Sequence, residues 1–299
     1  MLTINNILIC VDQTEPDQEF LNYLSNFSPL FKGENYKLTY KVFLPDPDKI
    51  FETKVPLDIK YELDKIFFSS ENSTSSISVE FDPPPMDLVL STLKHLSQIS
   101  ADFLILRFSE KNREEAVKIT RNSACSVLLM PPAFPAKLSK ILVPIDFSEQ
   151  SLYALKMALT FAEKINLDII INHIYYVPEG YHSEGKSYDE MAGLVNKNAK
   201  MEYQKLNKDL NFSAFNVLPS FILDDDKDPT DKIYKEALDT EAELIIMTSK
   251  GKTASGFEIM GNTAKALLFL NESIPMLILK NKKENADIAD YIWKTASIN

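Results

Sequence analysis

The sequence is poor in residue types that often carry chemistry. Its 299 residues include two cysteines, three histidines and seven glycines. Cys10 and Cys125 are too few for a disulfide framework, and both lie in apolar runs where a buried thiol is usual. The cysteines and histidines show no zinc-ligand spacing, and no Gly-x-Ser-x-Gly segment indicates a serine hydrolase. We therefore predict no metal site and no catalytic residues.

Basic charge and long apolar runs are also scarce. Lys and Arg total 32 against 43 Asp and Glu, a formal net charge of −11. Nucleic acids and anionic membrane surfaces bind basic faces, so neither partner is expected. No apolar run approaches the roughly 18–20 residues that span a bilayer, and the first residues lack the basic segment of a signal peptide. We therefore expect a cytoplasmic protein.

The sequence does contain an internal repeat. ILICVD at 7–12 recurs as ILVPID at 141–146, ADFLIL at 101–106 as AELIIM at 242–247, and SVLLM at 126–130 as PMLIL at 275–279. The offsets are 134, 141 and 149 residues, so the first copy lacks eight residues between its last two segments. A proline cluster at 131–135 separates the copies. The predicted domains are 1–135 and 136–281, followed by a tail at 282–299.

Each copy has the pattern of alternating strands and helices. In the second copy, apolar strands are predicted at 141–145, 168–174, 217–223, 244–247 and 276–279. Continuous apolar strands separated by helices are typical of a parallel sheet covered on both faces. The predicted fold is therefore α/β, with two tandem doubly wound parallel sheets of five strands each.

Three of the seven glycines fall in one loop of the second copy. Gly251, Gly256 and Gly261 follow a predicted strand, and Asn262 and Thr263 then open a helix. Glycine lets backbone amides approach a phosphate, and a helix N-terminus supplies free N–H groups beyond the carboxyl ends of the strands. The alternative is that the glycines only turn the chain and Asn262 caps the helix. A P-loop is excluded, because its first glycine would fall at Ile246, inside the strand.

The second copy resembles the universal stress protein family. ATP-binding members have a strand ending in Pro-x-Asp and a Gly-x2-Gly-x9-Gly-Ser/Thr loop. Pro144 and Asp146 match the first signature, and Gly251 and Gly261 match the second and third glycines. The resemblance implies a Rossmann-like fold and a site for ATP or another adenine nucleotide, with or without Mg²⁺.

The resemblance also implies roles for individual residues. Asp146, with Pro144 before it, would lie near the ribose, and Ile174 would offer backbone groups to adenine. The phosphates would be held by four residues of the loop and the helix start: Gly251, Gly261, Asn262 and Thr263. Thr248 departs from the family at the first glycine, where a positive φ would be costly for threonine. Asn262 replaces the family's Ser/Thr but can still donate to a phosphate.

The first copy resembles the universal stress protein family only weakly. Asp12 ends its first strand, but Cys10 stands where the second copy has Pro144. Arg107 to Asn112 follow its fourth strand without a glycine, and the eight missing residues fall in this loop. We therefore predict that the first copy binds no nucleotide.

The final strands predict how the copies associate. An apolar edge strand promotes aggregation unless another strand pairs with it. Universal stress proteins typically dimerise by pairing their last strands antiparallel. We therefore expect 127–130 to pair with 276–279 within the chain, as an intrachain pseudo-dimer, and leave a further homodimer open.

Three functions follow from these patterns. The first is a tandem universal stress protein that binds an adenine nucleotide in its second domain and regulates an unidentified protein partner under stress. The second, favoured by Thr248, is a nucleotide-free interaction scaffold. The third is a slow ATPase, for which no positioned base or catalytic arginine can be named.

Overall fold

The structure, a computed structural model, describes residues 4–11, 18–28, 37–43, 55–67, 76–82, 87–107, 110–250 and 260–281. Two units are distinguished by their internal contacts. One comprises residues 1–138 and 272–299, and the other comprises residues 139–271. The final strand of the second sequence copy therefore belongs to the first unit.

Strands and helices alternate along the described residues. In the first sequence copy these are β1 (Asn6–Val11), α1 (Gln18–Ser25), β2 (Lys37–Phe43), α2 (Val55–Phe67), β3 (Ser76–Asp82), α3 (Leu88–Gln98), β4 (Phe103–Arg107), α4 (Arg113–Asn122) and β5 (Ser126–Met130). In the second copy they are β6 (Lys140–Pro144), α5 (Glu149–Lys164), β7 (Asp168–Tyr175), α6 (Tyr188–Leu210), β8 (Asn216–Leu223), α7 (Pro229–Asp239), β9 (Leu244–Thr248), α8 (Asn262–Leu270) and β10 (Met276–Leu279).

The sheet of the first unit has the order β3-β2-β1-β4-β5-β10. Strands β1 to β5 pair in parallel, and Ile7 of the central strand pairs with Leu38 on one side and Phe103 on the other. Ile7, Leu8 and Ile9 are fully buried, as expected for a strand covered on both faces. The predicted α/β fold with parallel sheets is confirmed.

Strand β10 pairs antiparallel with β5. Its register places Met276 opposite Leu129, Leu277 opposite Leu128 and Ile278 opposite Val127. All six side chains are buried. The expected pairing of the two final strands is therefore confirmed, and it covers an apolar edge that would otherwise promote aggregation.

Lys280 follows β10 directly and is 3% exposed. Its ammonium group donates to the carbonyl oxygens of Thr120 and Arg121 in the last turn of α4, and to the Ser123 carbonyl oxygen at 2.7 Å. Its backbone N–H donates to Ser126 Oγ at 3.1 Å. A helix C-terminus carries unsatisfied carbonyls and partial negative charge, so a cation stabilises it. Lys280 thus fixes the end of β10 to the end of α4.

The parallel sheet of the second unit has the order β9-β6-β7-β8. Helix α6 lies on one face, where Asn196 donates to the Tyr175 hydroxyl at 2.9 Å. Neighbouring residues of a strand point to opposite faces. Ile174 therefore faces the other side, which α7 and α8 cover.

Three helices of this unit begin with a side-chain cap. Ser148 accepts a hydrogen bond from the Ser151 N–H at the start of α5, Ser187 accepts from Glu190 in α6, and Asp228 accepts from Asp231 in α7. Such caps satisfy N–H groups that lack a partner in the helix. Helix α8 follows Gly261 and has no side-chain cap.

No helix within the part of the chain that the structure describes has the length and apolar character needed to cross a membrane.

We expect Lys280→Met to lower the free energy of unfolding by about 1–3 kcal/mol, because three carbonyls, two of them in buried hydrogen bonds, lose a charged donor. The measurement is urea denaturation of the full chain followed by circular dichroism. Lys156→Met, at an exposed position on α5, is the matched control, and it should change stability by less than about 0.5 kcal/mol. Equal effects of the two substitutions would contradict the role given to Lys280.

Candidate functional site

The carboxyl ends of β6, β7 and β9 surround a cavity of about 380 Å³ with the start of α8. Six of the seven residues predicted for the site line this cavity: Pro144, Asp146, Ile174, Gly261, Asn262 and Thr263. The seventh, Gly251, lies outside the described residues, as does Gly256. The carboxyl ends of parallel strands lie at the same edge of the sheet. Residues separated by more than a hundred positions, such as Asp146 and Thr263, therefore line one cavity.

The cavity wall combines apolar and polar groups. Its apolar side chains include Ile145, Ile174, Ile233 and Met247. Its polar residues are Asp146, Ser151, Asn172, Thr248, Ser249, Lys250, Asn262 and Thr263. The sequence analysis missed Asn172, Ile233 and Lys250. Lys250 lies two residues after the end of β9, a position that could have identified it, whereas Ile233 is recognisable only once α7 is packed over β7.

A sharp turn after β6 positions Asp146. The Ile145 N–H donates to the Asn172 carbonyl at 2.8 Å, and the Ile145 carbonyl lies 2.8 Å from His173 Nδ1. Phe147 then takes the left-handed conformation, with φ of 59°, and its ring packs against the His173 ring at 4.5 Å. The contacts of His173 therefore fix the turn that follows the Pro-x-Asp signature.

The Asp146 carboxylate is held by the residue that starts α5. Both the backbone N–H and the hydroxyl of Ser148 donate to Asp146 Oδ1. The same hydroxyl oxygen accepts the hydrogen bond that caps α5. One serine thus orients the carboxylate at the cavity and begins the helix behind it.

The backbone of Ile174 points to the space beyond the end of β6. The last β6–β7 pair is Pro144 with Asn172, and the Ile145 N–H adds one further bond to the Asn172 carbonyl. On the other side of β7, the Tyr175 carbonyl accepts from the Asp224 N–H at 2.7 Å. Because backbone groups alternate along a strand, the N–H and C=O of Ile174 face the side where β6 has ended.

The N-terminus of α8 opens onto the cavity without a side-chain cap. Gly261 is the N-cap, its N–H donates to the Ser249 carbonyl at 2.7 Å, and Asn262 is already the first helical residue. The alternative that Asn262 caps this helix is therefore wrong. The first turn holds no acidic residue. Its free N–H groups and the positive end of the helix dipole favour an anion here.

The equivalent helix of the first unit starts differently. Asn112, at the 149-residue offset from Gly261, is the N-cap of α4, and Glu114 and Glu115 occupy the first turn. These carboxylates already supply the negative charge that a helix N-terminus favours. Arg107, which precedes this helix, lies over the rings of Phe20 and Phe134 at 5.5 and 5.7 Å.

Thr248 is not strained. The non-glycine residues with positive φ in the described part of the chain are Ser100, Phe147, Asn211, Lys227 and Glu241. The positive φ considered for Thr248 from the sequence is therefore wrong. Its hydroxyl donates to the Lys250 carbonyl at 2.7 Å and holds the chain where it leaves β9 for the cavity.

Metal ligands do not cluster in the described residues, where no group of three or more His, Cys, Asp or Glu side chains could hold an ion. The acidic run at 224–226 has partners of its own. Asp224 accepts from the Asp228 N–H, and Asp226 pairs with Lys232 at 2.8 Å. Asp225 accepts from the Tyr188 hydroxyl, which raises the pKa of Tyr188 to about 12.

A parallel α/β sheet with a cavity beyond its strands, a Pro-x-Asp turn and an uncapped helix start defines a class of Rossmann-like ligand-binding domains. Residues 137–280 match the model of the universal stress protein family.

Individual relatives agree with this match. Universal stress protein MJ0577 of Methanocaldococcus jannaschii is 28% identical over 158 residues, which cover 48% of this chain and 95% of the relative. Universal stress protein MJ0531 of the same organism is 24% identical over 147 residues, which cover 48% of this chain and 84% of the relative.

Solved structures match almost the whole chain. A protein of unknown function, PA1789 from Pseudomonas aeruginosa, aligns with a TM-score of 0.68 and 15% identity over 98% of both chains. A universal stress protein from Archaeoglobus fulgidus aligns with a TM-score of 0.59 and 16% identity over 93% of this chain and 96% of the other. These matches show the fold of both halves.

We expect Ser148→Ala to lower the free energy of unfolding by about 1 kcal/mol, because α5 loses its cap. Ser148→Thr keeps a hydroxyl at the same position and should stay close to the wild type. Urea denaturation of both variants tests this expectation. An alanine variant as stable as the threonine variant would show that the cap contributes little.

Proposed function

We propose that this chain is a tandem universal stress protein whose second unit binds ATP or another adenine nucleotide. In this proposal the bound nucleotide regulates an interaction with a protein partner during a stress response in the cytoplasm. The observation that carries the proposal is the start of α8. An uncapped helix N-terminus without acidic residues opens onto the same cavity as the Asp146 carboxylate and the Ile174 backbone.

The dimensions and lining of the cavity support a nucleotide. Its volume of about 380 Å³ falls in the range of roughly 300–1,000 Å³ typical of small-molecule sites. Apolar side chains from β6, β7, α7 and β9 suit a purine ring, and the polar residues of the lining can pair with the polar groups of a nucleotide.

Each part of the nucleotide has candidate partners. The phosphates would bind the start of α8 at Gly261, Asn262 and Thr263, with the Lys250 ammonium adding positive charge. Asp146 would accept from the ribose hydroxyls, and the Ile174 backbone would pair with the adenine edge. Gly251 completes the proposed set from the resemblance alone.

The described residues that line the cavity offer few oxygen ligands for Mg²⁺. Asp146 is the carboxylate among the described lining residues, and Ser148 already donates to it. Mg²⁺ prefers several oxygen ligands and keeps waters when a protein offers few. In the proposal, any Mg²⁺ arrives with the nucleotide and is held by phosphate oxygens.

The first unit has a different role in this proposal. Its α4 start carries Glu114 and Glu115 instead of an open N-terminus, so we propose that it binds no nucleotide. Its β5 instead supplies the partner for β10. We keep the domain boundaries at 1–135 and 136–281 and the intrachain pseudo-dimer as part of this proposal.

The main argument for the alternative function, a nucleotide-free scaffold, no longer applies. Thr248 was the residue that favoured it, and Thr248 is accommodated without positive φ. A slow ATPase would need a base near the phosphates. The carboxylate of Asp146 accepts two hydrogen bonds from Ser148, and hydrogen bonds to a carboxylate make it a poorer base. We therefore propose binding without assigning hydrolysis.

We expect Gly261→Arg to abolish binding of ATP, because the long side chain would fill the mouth of the cavity at the start of α8. Isothermal titration of the full chain measures the effect. Asn112→Arg is the matched control, since it changes the N-cap of the equivalent helix in the first unit. Equal loss in both variants would mean that the nucleotide contacts both units and that the assignment to the second unit is wrong.

We expect Thr248→Gly to weaken ATP binding by roughly three- to tenfold, because the chain leaving β9 loses a hydrogen bond of about 1 kcal/mol. Thr248→Ser keeps the hydroxyl and should bind within about twofold of the wild type. The same titrations compare the three proteins. Stronger binding by the glycine variant would show that the family glycine, and not the threonine contact, suits the ligand.

A further inference from the structure

Asn172 is a fully buried polar side chain in the wall of the cavity. Its Nδ2 donates to Ser220 Oγ on the neighbouring strand at 3.4 Å. Its Oδ1 is buried and has no hydrogen-bond partner among the described residues. Buried polar atoms are nearly always partnered, and an unpartnered acceptor is costly. An unpartnered acceptor in the wall of a ligand cavity indicates a donor on the ligand.

The position of Asn172 indicates which part of a ligand it meets. Strands β7 and β9 flank β6 on opposite sides, and the start of α8 is tied to the end of β9 by the bond from Gly261 to Ser249. The anion-binding end of the cavity therefore lies by β9, and the opposite end lies by β7. Asn172 shares a face of β7 with Ile174 and lies two residues deeper. It is thus a polar group at the end proposed for the base.

The first unit has an equivalent row of paired residues across its strands, and the polar side chains of that row pair with each other. Its register places Cys10, Lys41 and Glu80 side by side, as the register of the second unit places Pro144, Asn172 and Ser220. In the first unit the buried Lys41 ammonium pairs with the Glu80 carboxylate at 3.5 Å. The charged groups of Lys41 and Glu80 are therefore partners of each other within the first unit. In the second unit the same row leaves Oδ1 of Asn172 without a partner among the described residues, in a residue that lines the cavity.

We propose that Asn172 Oδ1 accepts a hydrogen bond from the exocyclic 6-amino group of a purine and so makes the site select 6-aminopurine over 6-oxopurine nucleotides. While Nδ2 stays bonded to Ser220 Oγ, a 6-oxo group would place one acceptor against another and leave both unpaired. Sites built to hydrogen-bond a substrate group reject analogues that lack it for this reason. This inference rests on the proposed nucleotide site and adds a residue that determines its specificity.

The test uses the full chain and three triphosphates. ATP and inosine triphosphate differ at the 6-position of the purine, and 2′-deoxyadenosine triphosphate lacks one ribose hydroxyl. We expect wild-type protein to bind ATP about tenfold or more tightly than inosine triphosphate. Asn172→Leu, similar in size but apolar, should lose about tenfold in ATP affinity and leave inosine triphosphate within about twofold, which removes the preference.

Two controls separate recognition from structure. Ser220→Ala removes the partner of Nδ2 and lets the amide turn over, so it should keep ATP binding and reduce the preference for ATP over inosine triphosphate. The melting temperature of ligand-free Asn172→Leu should not fall, because an apolar side chain replaces a group with an unsatisfied atom. A lowered melting temperature with an unchanged ratio of ATP to inosine triphosphate affinity would assign Asn172 a structural role and overturn the inference.

The remaining outcomes distinguish this inference from the proposed function. Wild-type protein that binds ATP and inosine triphosphate equally, or prefers inosine triphosphate, would overturn the role of Asn172 and leave nucleotide binding intact. A variant that loses discrimination against 2′-deoxyadenosine triphosphate instead would show that Oδ1 serves the ribose. Wild-type protein that binds none of the three would overturn both proposals.

Discussion

The parallel direction of β6, β7 and β9 is the constraint on which the candidate site depends. Parallel neighbours cannot be joined by a tight turn, so each strand is followed by a helix that crosses the sheet. Every strand then ends at the same edge, and every crossover helix starts there. The turn after Pro144, the backbone of Ile174 and the start of α8 meet for this reason. Single residues at that edge then determine how closely the backbone can approach a ligand.

The two units share this arrangement of strands and helices but carry different residues at equivalent positions of the sheet. In the first unit the row through β1, β2 and β3 holds Cys10, Lys41 and Glu80. Burial raises the pKa of the Cys10 thiol to about 12, and the nearby Lys41 opposes this effect. Cys10 is thus protonated and unreactive at neutral pH. The same row of the second unit holds Pro144, Asn172 and Ser220, and the first two line the cavity. The two units therefore differ in the side chains that they carry at equivalent positions.

Local features of the site could be predicted from the sequence. The Pro-x-Asp turn and the glycine before α8 depend on short-range backbone geometry, and the family resemblance located both. The pairing of β5 with β10 followed from two apolar final strands and from the family resemblance. These signals reside in a few consecutive residues, or in two segments with the same pattern.

Other features depend on contacts between distant residues and could not be predicted. The threonine at 248 was judged against a family glycine, but its φ is set by the way the chain leaves β9 and binds Lys250. Asn262 has the side chain of a cap, yet the N-cap is the preceding residue, Gly261, and Asn262 is already helical. The open acceptor of Asn172 and the buried ammonium of Lys280 appear only when neighbouring strands and helices are in place.

The antiparallel pair of β5 and β10 also sets the timing of folding during synthesis. The first unit contains residues from both ends of the described chain, and β10 is made about 150 residues after β5. At translation rates of about 5–20 residues per second, β5 has an uncovered edge for roughly 7–30 s. The second unit is synthesised within that interval. Of the two units, the one whose synthesis begins earlier therefore completes its sheet later.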